Sequence, residues 1–304
     1  MSHELSRCLS RGLSCFAAGL LLCVSLPASA EEASQEERAA AFESGLHWKT
    51  GEISLGDGIA QLRVPSDWRY LDPADTERVL VDAWGNPRRE EPALGMLFAA
   101  DVSPVDDDGW GIVISFQPDG HVSDADAAEI DYDALLRELQ AGAREANEAR
   151  AKAGYPAVEL IGWAAKPYYD PASHKLYWAR ELQFGSEPQH TLNYDVRVLG
   201  RRGVLVMKAV APMHQVDAVQ ARMRDALALV EFSPGHRYEE FDSKVDVVAA
   251  YGIGGLVAGG LLAKAGFFKM LLVGLLAAKK FVVIGVVAAV GAITRFWRAR
   301  RPAI

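Results

Sequence analysis

The stretch KLYWARELQFGSEPQHTLNYDVRVLGRRGVLVMKAVA, residues Lys175–Ala211, decides the fold. Three runs rich in Val, Leu, Tyr and Trp are separated by GSEP and GRRG, both turn-forming tetrapeptides. The runs read as strands Lys175–Phe184, His190–Leu199 and Val204–Ala211. Leu176, Trp178, Leu182 and Phe184 share one face by the two-residue period of a strand, and so do Leu192, Tyr194, Val196 and Val198. Short turns between such runs make an antiparallel sheet.

Upstream, DPAS joins another strand, Val158–Lys166, to this group. Before it, Asp131 to Lys152 reads as a long helix closed by Gly154 and Pro156. Leu94–Ala100 and Trp110–Gln117 are strands joined by DVSPVDDDG. Asp72 caps a helix that has Pro73 at its first position, runs to about Ala83 and is ended by WGNP. Ile59–Val64 is a short strand stopped by Pro65. Downstream, Met213–Val230 is a helix, followed by Phe232. The fold class is therefore α+β: an antiparallel sheet of about six to seven strands packed with helices. The element order, with VPSDW at its start and helix plus Phe232 at its end, loosely resembles Mog1/PsbP-like domains, at the level of fold only.

The two ends differ from this middle. Residues 1–30 read as a secretory signal peptide: Arg7 and Arg11, an apolar run from Gly12 to Leu26, then Ala28-Ser29-Ala30 as a cleavage site. All three cysteines, Cys8, Cys15 and Cys23, fall inside it, so the remaining chain would carry neither disulfide nor thiol chemistry. Residues 31–44 form an acidic, Ala-rich leader expected to be frayed. Residues 45–240 are the folded domain, expected on the extracytoplasmic side. Residues 241–304 are expected to be embedded in the membrane as transmembrane helices. Val247–Ala263 carries no charge, Phe281–Ile293 is apolar, and the chain ends in a basic tail. Lys279 and Lys280 interrupt the second apolar region, which leaves open whether one segment or two insert. Gly255 and Gly259 have the spacing that lets membrane helices pack closely, hence an expected self-association or protein partner beside the lipid bilayer.

Charge separates the same regions. The chain carries −8 overall, but Glu31–Lys244 holds 38 acids and 22 bases, whereas eight bases and one acid follow. An acidic domain with a basic tail fits a bacterial inner-membrane protein under the positive-inside rule. The same balance argues against a nucleic-acid partner, whose phosphates require Lys and Arg.

The most site-like stretch is PDGHVSDADAAEIDYD, residues 118–133. A calcium loop started at Asp124 would need Gly where Glu129 stands and Glu where Leu135 stands, so it fails. The other acidic cluster, Asp106-Asp107-Asp108, lies beyond an eight-residue strand, about 26 Å away at ~3.3 Å per residue. The stretch reads instead as a turn followed by the capped start of the long helix. His47, His121, His174, His190, His214 and His236 are mutually distant in sequence, and no catalytic, metal or cofactor motif is present. No catalytic, cofactor-binding or metal-ligating residue is nominated, and no cofactor is expected. The most ligand-like surface is the aromatic hairpin 162–181, with Trp163, Tyr168, Tyr169, Tyr177 and Trp178, which reads as sheet packing or as a groove lined for a partner.

Several segments carry a likeness: YLDPADTERVLVDAWGNP (Tyr70–Pro87), LGMLFAADVSPVDDDGWGIVISF (Leu94–Phe116), DGHVSDADAAEIDYDALL (Asp119–Leu136), TLNYDVRVLGRRGVL (Thr191–Leu205) and AAYGIGGLVAGG (Ala249–Gly260). Through them the chain resembles the bacterial domain of unknown function 2167 family, described as predicted membrane-anchored proteins. The resemblance implies a signal peptide, an extracytoplasmic domain and a membrane-embedded C-terminus. It implies no activity and transfers no catalytic residue. The expected function is a non-enzymatic binding or scaffolding module. The alternatives are an envelope hydrolase using His121 or His174 beside an Asp, and an accessory subunit of a transport or channel assembly.

Overall fold

The computed structural model describes residues 28–259 except 87, 90 and 107, with side chains described from residue 36. The signal-peptide segment before residue 28 lies outside the described residues. So do the apolar and basic segments from residue 260 onward, including Lys264, Lys269, Lys279 and Lys280. The chain divides into two units, residues 1–44 and 45–304.

In the first unit, α1 (Ala28–Ser44) is helical, where the sequence reading expected a frayed leader. Ala and Glu, which dominate it, are among the strongest helix formers, and acidity does not cancel that preference.

In the second unit, β1 (Gly51–Leu55) pairs with β2 (Ala60–Val64). A short β10 (Val230–Phe232) completes a three-stranded antiparallel sheet in the order β1-β2-β10. The larger sheet has seven strands in the order β3-β4-β5-β9-β8-β7-β6, all antiparallel. Its strands are β3 (Trp68–Leu71), β4 (Gly95–Ala99), β5 (Ile112–Gln117), β6 (Val158–Asp170), β7 (Lys175–Phe184), β8 (Thr191–Leu199) and β9 (Val204–Pro212). The expected antiparallel sheet with helices is therefore present, and the three runs of the opening stretch are neighbours in it. Three short strands escaped the reading. β1 has one buried residue, β3 has four residues, and β10 follows a helix directly.

Four further helices pack around the sheets: α2 (Pro73–Arg78), continued by a π-helical turn to Ala83, α3 (Tyr132–Lys152), α4 (Val216–Ala228) and α5 (Ile253–Ala258). The caps follow the sequence. Asp72 accepts from the Ala74 and Asp75 amides, and Asp131 from those of Asp133 and Ala134. β6 runs four residues past its expected end, through Pro167, with three register shifts against β7. An edge strand tolerates this because the missing proline N–H has no ladder partner to lose.

Each face of the seven-stranded sheet carries a core. On one, Leu192, Tyr194, Val196 and Val198 of β8 pack with Leu205 and Met207, Val219 and Met223 of α4, and Leu62, Val230 and Phe232 of the small sheet. On the other, Leu176, Trp178, Leu199 and Val204 meet Val122 and three residues of α5, namely Ile253, Leu256 and Val257. A charged network shares that second face. Asp195 is fully buried beside Arg197 at 3.1 Å, Arg180 at 3.3 Å and Lys208 at 3.6 Å. Burial alone would raise its pKa, but Lys208, Arg197 and Arg180 hold the carboxyl below its usual range.

The docking of α5 corrects two expectations. The domain does not end at residue 240, because residues 241–259 are folded onto it. Val247–Ala263 is not one straight span from Val247: residues 247–249 pair with His121, and the helix that follows is only six residues long. Among the described residues no helix is long and apolar enough to cross a membrane. Gly255 packs against the Tyr251 side chain, where an added Cβ would lie 2.6 Å from the Tyr251 Cβ. Its glycine is thus required inside the domain.

Candidate functional site

The stretch 118–133 is the seam that holds the C-terminal segment. Gly120 has φ +94°, a conformation glycine adopts at little cost, and a Cβ there would stand 2.6 Å from the Val247 carbonyl oxygen. That close approach lets the His121 N–H donate to the Val247 carbonyl and the Ala249 N–H donate to the His121 carbonyl, each at 2.8 Å. The Asp126 carboxylate accepts from the Ile253 and Gly254 amides at 2.9 and 3.1 Å and so starts α5. Tyr251 donates its hydroxyl to Asp119. Ser123 and Asp126 take no part in capping α3: Ser123 closes a turn with the Ala125 amide, and Asp126 serves α5.

Above this seam four rings stack in a column. His174 lies 4.1 Å from Tyr238, Tyr238 lies 4.3 Å from His121, and His121 lies 4.0 Å from Phe241, between ring centroids. Tyr238 also donates to the Val122 carbonyl at 3.0 Å. Burial, then the nearby Asp124, pushes the Tyr238 hydroxyl up to about 12. Burial also holds the His121 imidazole below 6.5, against the pull of the Arg201 carbonyl and the Asp124 and Asp246 carboxylates. Its Nδ1 is buried with no hydrogen-bond partner, as expected of a neutral ring used for stacking.

His174 sits at the tip of the β6–β7 hairpin with φ +52°, unusual for a side-chain-bearing residue. Asp170 holds the turn by accepting from the Ala172 amide and from the Ser173 hydroxyl, at 3.0 and 2.5 Å. The His174 carbonyl accepts from the Leu199 amide, which ties the tip to β8. Tyr169 donates to Asp124 at 2.8 Å, and its oxygen lies 3.2 Å from His174 Nδ1. With the phenol proton committed to Asp124, the Tyr169 oxygen is left to accept from an Nδ1–H of His174. Burial, then the bond to Asp124, drives the Tyr169 pKa far above that of a free phenol, so Tyr169 stays a donor.

Beside this column lies a cleft of about 240 Å³. One wall is the hairpin tip, Ser173 to Lys175, and the end of β8, Val198 and Leu199. The other is β10, Val230 to Phe232, with Arg237, Tyr238 and Glu239 closing it. Phe232 packs directly on Gly200, where a Cβ would come within 2.5 Å of its ring.

The structure brings His174, Asp124 and Tyr169 together with His121. It leaves His47, His190 and His214 each paired with a different carboxylate, at Asp75, Glu181 and Asp108. Asp108 thus belongs to the His214 neighbourhood and not to that of 118–133. Among the described residues no group of three His, Cys, Asp or Glu side chains is placed to hold a metal ion. In the aromatic hairpin, Trp178 is fully buried, Trp163 donates to the Tyr132 carbonyl, and Tyr168 is exposed. The hairpin aromatics are thus mostly packing, and the cleft opens at the hairpin's tip. The residues missed by sequence reasoning are β10 and Arg237–Glu239, which carry no motif.

The chain belongs to the family described as protein of unknown function (DUF2167), whose model matches residues 47–291. No curated protein matches it. Solved structures show a weak likeness. The cyanobacterial PsbP (CyanoP) of Synechocystis sp. PCC 6803 is 10% identical over 60% of this chain and 91% of its own, with a TM-score of 0.34. The Ran-binding protein Mog1p of Saccharomyces cerevisiae is 10% identical over 65% and 100%, at 0.30. LpqN of Mycobacterium tuberculosis, involved in cell envelope biogenesis, is 16% identical over 64% and 96%, at 0.28.

Proposed function

We propose that the domain is a non-enzymatic binding module whose ligand enters the cleft between the β6–β7 tip and β10. The observation that carries this reading is the cleft itself. Its walls set Val198 and Leu199 against Val230 and Phe232, and its charged lining is balanced, Lys175 and Arg237 against Glu231 and Glu239. The hydrolase alternative gains no support at His174: Ser173, the neighbouring hydroxyl, gives its proton to Asp170 and not to that histidine.

The reading includes a tether. The uncharged and basic segments after Gly259 would hold the domain at a bacterial inner membrane, on the extracytoplasmic side; the Gly255–Gly259 pair that suggested self-association is not used for it, because Gly255 packs inside the domain. Support comes from hydropathy, from the charge split between domain and tail, and from the signal-like N-terminus. Retention of the chain in carbonate-washed membranes and a reporter fused after Ile304 test the tether. Full release into the wash contradicts it.

The binding reading is tested with the full chain in detergent micelles and a fragment set screened by ligand-observed NMR. Glu231→Trp, on the exposed side of β10, should weaken the fragments found by about tenfold or more, near 1.4 kcal/mol. Glu148→Trp, on α3, should leave them unchanged. Fragments indifferent to Glu231→Trp contradict the assignment of the cleft.

A further inference from the structure

We infer that the second face of the seven-stranded sheet carries an anion site, built from Lys208, Arg180 and Arg197 around Asp195, that takes a phosphate group. The site shares no residue with the cleft and stands independently of it.

Strand register brings these residues together. Trp178, Asp195 and Lys208 form one row across β7, β8 and β9. Arg180 is two residues along β7, opposite Asn193, and Arg197 is two residues along β8, opposite Leu176. Side chains two apart on a strand share a face, so all of them stand on the side where α5 packs. α5 covers only one end of it, over Leu176, Trp178, Leu199 and Val204. Toward the other end Val210, two residues beyond Lys208, is 43% exposed. The Lys208 and Arg180 side chains keep 39% and 21% of their surface in solvent, so an anion reaches them directly.

Charge is out of balance at this place. Asp195 is fully buried and held ionised by its cations. It accepts from Arg197 Nη1 at 3.1 Å and from Arg180 Nη2 at 3.3 Å, and it lies 3.6 Å from Lys208 Nζ. Among the described residues no other carboxylate pairs with any of the three. Three cations less one carboxylate leave two positive charges. The surrounding region is acidic, with 38 acids against 22 bases over Glu31–Lys244, so a local excess of base is no effect of composition.

Donors are left over as well. Arg180 Nε and Arg197 Nε are buried, and neither has a hydrogen-bond partner. Both guanidiniums lie against the Trp178 ring, 6.0 and 4.9 Å from its centroid, which positions them without accepting their N–H groups. Buried polar groups are normally paired, and the protein leaves these two unpaired. Guanidinium donors in this arrangement suit the oxygens of phosphate and carboxylate. A phosphate monoester carries about −1.5 to −2 charges at pH 7 and matches the two positive charges better than a carboxylate does. Lys208 and Arg180, the exposed pair, make the contacts, and Arg197 adds its charge from below.

The test uses the full chain in uncharged detergent micelles with its arginine side chains labelled for NMR. Inorganic phosphate is titrated at constant ionic strength against chloride. The Arg180 Nε–H signal should shift and saturate. Lys208→Met should weaken the titration about tenfold or more, Arg180→Lys, which keeps the charge, should weaken it severalfold, and Lys152→Met, on α3, should leave it unchanged. Phosphate should also raise the melting temperature of the parent chain more than that of Lys208→Met, because a ligand of the folded state stabilises it. A short-chain phosphatidylglycerol added to the micelles separates the sources. Saturation by free phosphate, with or without the lipid, supports a site for soluble phosphates, and saturation by the lipid alone supports a site for a headgroup. No saturable shift with either probe, or a Lys208→Met chain that titrates like the parent, overturns the site and leaves a self-contained ion-pair network.

Discussion

Asp126 and Asp131 lie five residues apart in one acidic stretch, yet only one was legible. Asp131 caps the helix that begins at the next residue, so sequence neighbours reveal its role. Asp126 starts a helix 127 residues away, and nothing local announces that. Asp126→Ala should therefore cost about 1–2 kcal/mol in urea unfolding of the full chain, the range for losing a cap. Asp195 is a harsher case. Replacing it with Ala leaves Arg180, Arg197 and Lys208 facing one another in a buried site, and should cost about 3–5 kcal/mol by the same measurement. His121 supplies a pH dependence. Folding strips water from its ring, so the folded pKa falls below the unfolded 6.5. Its share of stability is whole above 6.5 and is lost as pH drops from there toward the folded value. His121→Phe, which keeps a stacking ring, should flatten that part of the stability–pH curve. An unchanged slope below pH 6.5 would remove His121 from this role.

At the scale of elements, the long amphipathic pieces were legible and the short ones were not. β7, β8, β9 and α3 each span nine residues or more and show their period plainly. β10 has three residues directly after a helix, so the helical reading took in its first residue, Val230, and left the rest unassigned. α5 was hidden for the opposite reason: a run of glycine, alanine and valine without charge reads as a membrane span, although its first part covers one of the domain's two cores. The contact that decides this is the approach of residue 120 to Val247. Gly120→Ala forces a side chain into a φ of +94° and against a carbonyl oxygen. It should loosen residues 247–258 and expose Tyr251, read as faster chymotryptic cleavage there than in the parent chain. Equal cleavage rates would mean that the seam is held elsewhere.

For the whole molecule, composition and charge already separated an acidic folded region from a basic tail, and the antiparallel sheet followed from its strand pattern. The domain's true extent did not. Ile253, Leu256 and Val257 are each at most 3% exposed. Full burial of such side chains is worth about 1.5–3 kcal/mol apiece. A chain ended after Glu240 should therefore melt well below one ended after Gly259, by circular dichroism, although the shorter chain keeps every strand. Equal melting temperatures would show that residues 241–259 are not part of the domain. The cleft was illegible for the same reason as α5. Its walls come from a hairpin tip, the end of a central strand and an edge strand, brought together only by the fold.

The central claim is that this cleft is where the protein binds. Amide chemical-shift mapping of the full chain in micelles, titrated with the strongest fragment from the screen, tests that most directly. The account predicts shifts concentrated at Ser173–Lys175, Val198–Leu199 and Val230–Phe232. Shifts centred on any other surface, with these amides silent, would contradict it.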